Sequence, residues 1–139
     1  MRRFSFSLQK VLQLRKYRED QCKIELGQAI GILSEIENRI RERAFHRHQA
    51  ASERFTGTAV DMQAWDHYIA RLDQEVQRLT EDAARAELVV EEKRENYLEA
   101  SRELKVIEKL KEKREKEHRK DMFDAQTAEL DDLWRRQTP

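Results

Sequence analysis

The stretch Met62-Gln63-Ala64-Trp65-Asp66-His67-Tyr68-Ile69-Ala70-Arg71-Leu72-Asp73-Gln74-Glu75-Val76 decides the fold. Its apolar residues Met62, Trp65, Ile69, Leu72 and Val76 step by three, four, three and four. The same frame runs on through Leu79, Ala83, Ala86 and Val90, and resumes after Lys93 with Tyr97, Ala100, Leu104 and Ile107. An apolar repeat averaging about 3.5 residues is the seam of a left-handed coiled coil. Intrinsic disorder is the competing reading of a charge-rich chain, but a disordered chain has no reason to keep this phase.

Working toward the N-terminus, a second stripe appears. Cys22, Leu26, Ala29, Leu33, Ile36 and Ile40 step by four and three, and Leu8 and Leu12 hold the same frame. Val11, Leu14 and Tyr17 lie just beside it and broaden it. Arg15 and Glu19 occupy frame positions, as do Arg43, Arg47 and Arg54, so the seam is expected to weaken or slip toward the loop. Between the stripes lies Phe55-Thr56-Gly57-Thr58-Ala59-Val60-Asp61. Gly57 fits a helix stop in the left-handed conformation, and Thr58 or Asp61 can cap the helix that follows. So short a break between two stripes predicts an αα-hairpin.

The expected fold is therefore all-α: an antiparallel two-stranded coiled-coil hairpin forming one domain over residues 1–139. Helix 1 covers about 7–55, the loop about 56–60 and helix 2 about 61–135. A first helix of about 48 residues would be roughly 70 Å long. Folding back at Gly57 sets Leu8 near position 106, so residues 110–139 overhang with no partner on the first helix. Pairs such as Glu112/Lys116 and Glu115/Arg119 support an exposed helix there only weakly, and fraying is expected. Met122, Phe123, Leu130, Leu133 and Trp134 then become candidates for docking to another molecule. A parallel homodimer that pairs the stripes between chains is the alternative; Gly57 argues against it.

Composition suits a narrow seam better than a compact core. Charged residues are 40% of the 139, against 38% for the hydrophobic set, where an average domain has about 25% charged. One proline and three glycines leave room for long helices. Lys plus Arg equals Asp plus Glu at 28 each, so no whole-chain steering toward nucleic acid is implied. Locally the charge is uneven. Arg2, Arg3, Lys10, Arg15, Lys16 and Arg18 outnumber Glu19 and Asp20, and residues 105–120 are also mainly basic. The hairpin brings these segments to one end. Residues 121–134 are acidic, with Asp121, Asp124, Glu129, Asp131 and Asp132. No apolar run suits a signal peptide or approaches the ~20 residues of a membrane span. A cytoplasmic protein is expected.

Catalytic chemistry finds no foothold. Gly27, Gly31 and Gly57 make no phosphate loop. Cys22 sits in the seam, where a free cysteine is ordinarily core. His46 and His48 are two apart and diverge on a helix, and His67 could approach them only across the seam, so no metal site is expected. Lys and Glu alternate over 108–117, as on a solvated face rather than a nucleic-acid surface. Gly27 and Gly31 mark either a close approach by a partner or local flexibility. Phe45, Phe55, Trp65 and Tyr68 cluster near the loop, where Tyr68 beside Ile69 and above Leu72 offers a binding patch, with core packing as the even alternative.

At two places the residues resemble a known family. Arg3-Phe4-Ser5-Phe6-Ser7-Leu8-Gln9-Lys10-Val11-Leu12-Gln13-Leu14-Arg15 looks like the start of FliJ, a flagellar type III export protein. Tyr68-Ile69-Ala70-Arg71-Leu72-Asp73-Gln74-Glu75 is similar to the segment opening that family's second helix. The resemblance covers the whole chain. It implies a non-enzymatic, cofactor-free coiled coil like the central stalk of rotary ATPases. The open end would insert into the hexameric export ATPase (FliI), through Arg15, Arg18, Lys109 and Arg114. Another part would contact the cytoplasmic domain of the export-gate protein FlhA. There Tyr68 and Leu72 match the family's aromatic and leucine, and Phe45 and His48 lie where that surface carries tyrosines on the first helix. The family also escorts export chaperones, which places the chain in the cytoplasm, peripheral to the inner membrane through its partners. A generic coiled-coil adaptor or chaperone, including an injectisome stalk protein, is the other reading.

Overall fold

The computed structural model describes residues 2–137. Two helices make up almost all of them: α1, Gln9–Glu53, and α2, Ala59–Gln137. They pack against one another as an all-α helical hairpin. The chain forms two compact units, each containing part of both helices. Cys22–Tyr97 includes the loop, and Met1–Gln21 joins Leu98–Pro139.

In the unit that holds the loop, burial follows the sequence stripe. Ala29 and Ala50 on α1, and Leu72, Ala83 and Val90 on α2, are buried. Met62, Trp65, Ile69, Val76, Leu79, Ala86 and Tyr97 are half-buried in the same frame. Ion pairs report the register. Arg43 Nε lies 2.7 Å from Glu75 Oε2, Arg47 Nε 2.6 Å from Asp73 Oδ1, and Lys93 Nζ 3.4 Å from Glu25 Oε2. Partner numbers fall on α2 as they rise on α1, which is antiparallel pairing.

Of the two outcomes expected for the seam near the loop, weakening or a slip of phase, these pairs exclude the second. The frame does not slip there. Ala50, seven residues after Arg43, is 1% exposed. Arg43, Arg47 and Arg54 keep the stripe's phase, and each meets an acidic residue of α2. Arg54 Nε lies 2.6 Å from Asp66 Oδ1, and its Nη2 donates to Oδ2 at 3.2 Å. The aliphatic stem of arginine covers apolar surface while its head reaches a carboxylate at the rim.

The turn is built from local hydrogen bonds. Arg54 N–H donates to the Ala50 carbonyl at 3.0 Å, and both Thr56 N–H and Thr56 Oγ1 donate to the Glu53 carbonyl at 3.1 and 2.6 Å. Thr58 then caps α2. Its Oγ1 accepts from Asp61 N–H at 3.3 Å, while Asp61 Oδ2 accepts from Thr58 N–H at 3.1 Å. This reciprocal arrangement is a capping box with aspartate as the acidic member. Gly57 serves it differently from the expectation, because no glycine among the described residues has positive φ. A Cβ on Gly57 would fall 2.6 Å from Asp61 Oδ2 and 2.9 Å from Asp61 Cβ. Glycine is needed for room beside the capping carboxylate, not for a left-handed backbone.

The second unit has a feature the stripe did not announce. Ahead of α1, residues 2–8 are not helical and lie against α2 as a strap. Phe6 is buried with Leu12, Leu104 and Ile107, and Phe4, Leu8, Val11 and Leu110 pack around them. The Phe4 ring lies 5.6 Å from the His118 ring, and His118 Nε2 is 3.2 Å from the Arg2 carbonyl oxygen. The strap therefore supplies partners for α2 as far as position 118, past the point where α1 begins. Beyond it α2 continues to Gln137 with Phe123, Leu130, Leu133 and Trp134 exposed.

Gly27 and Gly31 have no atom within 4 Å of a built Cβ, so neither marks a close approach inside the chain. Replacing either by Ala is expected to raise stability by about 0.8–1 kcal/mol. Gly57→Ala should instead lower it by about 1 kcal/mol through loss of the cap. Urea unfolding followed by circular dichroism measures both signs.

Candidate functional site

Two surfaces hold the residues singled out by sequence, one in each unit. In the loop-containing unit, Tyr68 is half-buried and stands over buried Leu72. It lies beside the seam, at the heptad position flanking Ile69. In an antiparallel pair the matching flank of α1 is occupied by His46. Two cavities meet at these residues. One, of about 350 Å³, is lined by His46, Gln49, Ala50, Glu53, Trp65 and Tyr68. The other, of about 280 Å³, is lined by Arg43, His46, Tyr68, Arg71, Leu72 and Glu75. The Trp65 and Tyr68 rings meet edge to face, centroids 6.0 Å apart at 71°. The Arg71 guanidinium lies 5.6 Å from the Tyr68 ring centroid.

Phe45 and His48 do not line either cavity. Phe45 falls at the heptad position farthest from the seam and is 59% exposed. His48 is exposed too, and its heptad position lies on the flank away from His46. The structure thus brings Tyr68 and Leu72 together and leaves Phe45 and His48 outside their grouping. Sequence reasoning did not pick out His46, Gln49, Glu53 or Arg71. The signal was present: in an antiparallel pair the flanking positions of the two heptads face each other, so Tyr68 points to His46 once the register is known.

In the other unit, three of the four basic candidates are engaged by the chain itself. Arg15 Nη1 donates to the Glu103 carbonyl at 2.9 Å, and Arg18 Nη1 lies 3.6 Å from Glu103 Oε2. Arg114 Nη1 donates to Ser7 Oγ at 2.9 Å, with its guanidinium 5.6 Å from the Phe6 centroid. Lys109 is exposed and makes no ion pair among the described residues. The strap rests on a platform that the sequence read as contact surface. Beside it lie two further cavities, one lined by Phe4, Ser5, Phe6, Gln9, Lys111 and Glu115 and the other by Phe4, Glu115, His118 and Arg119.

Among the described residues no group of three His, Cys, Asp or Glu side chains is placed to hold a metal ion. No described helix is long and apolar enough to cross a membrane. Against known families, a model described as the flagellar FliJ protein matches residues 4–138. The chain belongs to the FliJ family. The match takes in the first resembling segment from Phe4 onward, and the whole Tyr68–Glu75 stretch of α2. No curated protein and no solved structure matches the chain. FliJ-family membership makes it a component of the flagellar export apparatus, in a family without enzymatic members.

Phe6 anchors the strap of this FliJ-family chain, and its burial with Leu12, Leu104 and Ile107 gives it a measurable weight. Phe6→Ala is expected to cost about 3 kcal/mol. Phe4→Ala, at a half-buried position, should cost distinctly less. Chemical unfolding of the two variants at fixed protein concentration tests the order.

Proposed function

We propose that this chain is a central-stalk-like coiled coil of the flagellar export apparatus. It inserts its open end into the hexameric export ATPase, links that ATPase to the cytoplasmic domain of the export gate, and escorts export chaperones. It works in the cytoplasm, peripheral to the inner membrane at the flagellar base, through its partners alone. Membership of the FliJ family, over residues 4–138, is the observation that carries this reading.

The physical features are compatible with it. A hairpin within one chain supplies a two-helix strut without oligomerising. Lys109 and the surrounding lysines leave basic charge unspent on the stretch of α2 that carries the strap. At the loop-containing unit, Tyr68 offers an aromatic surface seated on Leu72, and aromatics carry a large share of interface energy. The injectisome alternative has no observation in its favour, because the matching family is a flagellar one.

The test uses purified chain, hexameric export ATPase and the gate's cytoplasmic domain. Wild-type chain should bind both and stimulate ATP hydrolysis several-fold. Lys109→Glu should reduce the stimulation and leave gate binding intact. Tyr68→Ala should weaken gate binding by about tenfold or more, the scale of a truncated interface aromatic, with ATPase stimulation unchanged. Binding to neither partner would overturn the proposal.

A further inference from the structure

The cavity on the α1 side of Tyr68 differs from its surroundings in what its polar groups do. Nearby charges are spent within the chain, Arg43 on Glu75, Arg47 on Asp73 and Arg54 on Asp66, and the His46 ring already has a neighbour, its Nε2 lying 3.6 Å from Glu42 Oε1. Apart from His46, the polar groups lining the cavity are not spent. Among the described residues the Glu53 carboxylate makes no ion pair, and the Gln49 amide, the Trp65 indole N–H and the Tyr68 hydroxyl have no hydrogen-bond partner. Glu53 is the only acidic side chain lining it. A volume of about 350 Å³ accommodates one long side chain.

We infer that this cavity receives a single lysine or arginine side chain of a partner protein, with Glu53 as counter-charge and Trp65 and Tyr68 as aromatic walls. The inference rests on the proposal that this surface faces a partner, and it adds the chemistry of the group recognised. Ring faces attract cations, tryptophan most strongly, and two rings meeting at 71° bound a corner in which a cation can touch both. An acidic side chain would be repelled by Glu53 and by the ring faces. An apolar one would strip water from four polar groups and return no hydrogen bond. A cation offers donors to Glu53, to the Gln49 carbonyl and to the Tyr68 oxygen at once. The chain already uses guanidinium-on-ring contacts three times, at Arg54 on Phe55, Arg71 on Tyr68 and Arg114 on Phe6.

Four acetylated, amidated hexapeptides, Ala-Leu-X-Leu-Ala-Ser with X as Arg, Lys, Gln or Glu, are the probes. They are titrated into ¹⁵N-labelled full chain, with the Trp65 indole N–H as reporter, distinguished from that of Trp134 by the Trp134→Phe variant. The Arg and Lys peptides should shift the Trp65 and Gln49 side-chain signals saturably, with affinity about tenfold above the Gln peptide. Glu53→Gln should erase that advantage with an unchanged unfolding midpoint, since Glu53 is exposed and only its carbonyl serves the turn. Equal affinity for Arg and Gln peptides, an advantage that survives Glu53→Gln, or no movement of Trp65 would overturn the inference. Binding of the ATPase and gate domain is read in parallel. If wild-type chain binds them and shows no peptide preference, the cation cavity fails and the export role stands. If the preference is present and neither protein binds, the cavity stands and the export role fails.

Discussion

Each helix of this chain can bury one narrow stripe, and each has little but the other to bury it against. That constraint governs the rest of the structure. Among the described residues the ten buried ones are all apolar, and nine of them lie on the a/d frame of α1 or α2; the tenth, Phe6, joins the same packing from the strap. Four of the ten are alanines, Ala29, Ala50, Ala83 and Ala100. Small residues let helix axes approach closely, but each buries little area, at about 25 cal/mol per Å². No single layer dominates, so cohesion accumulates over many layers rather than residing in a core.

A seam so poor in large side chains needs something else to define partner and direction. The polar residues in its frame serve that purpose. In the antiparallel hairpin Arg43 meets Glu75, Arg47 meets Asp73 and Arg54 meets Asp66. In a parallel dimer paired along α1, each of these arginines would face its own copy across the seam. Like charges in facing seam positions are unfavourable, and polar seam residues are known selectors of register and partner. Individually such half-exposed pairs contribute at most about 1 kcal/mol. Their weight lies in the difference between the two pairings, where attraction on one side is replaced by repulsion on the other.

The stripe from Met62 to Ile107 was legible because a 3.5-residue period survives any choice of partner. The arginines at 43, 47 and 54 read as a fault in the seam because their partners, at 75, 73 and 66, are distant in sequence and appear only once the register is fixed. Gly57 was the right residue for a different reason, since crowding by Asp61 is a three-dimensional fact that composition does not carry. The strap was hidden because Phe4 and Phe6 alternate with serines outside any helical period. The same held for the candidate site. Tyr68 stood out as an aromatic beside the stripe, whereas Gln49 and Glu53 look like ordinary surface residues until α1 and α2 are set side by side. FliJ-family membership was readable from Arg3–Arg15 and Tyr68–Glu75, and the match over 4–138 agrees.

Antiparallel pairing within one chain underlies the whole structure, and the single native cysteine offers a direct measurement of it. Cys22 and Tyr97 are both half-buried seam residues, on α1 and α2 of the same unit. In the register set by Arg43–Glu75 and Lys93–Glu25 they fall in one layer. The Tyr97→Cys variant, oxidised at low protein concentration, should form an intrachain disulfide in a species of monomer mass. Exclusive formation of disulfide-linked dimers, with wild-type chain also of dimer mass by light scattering, would contradict the hairpin.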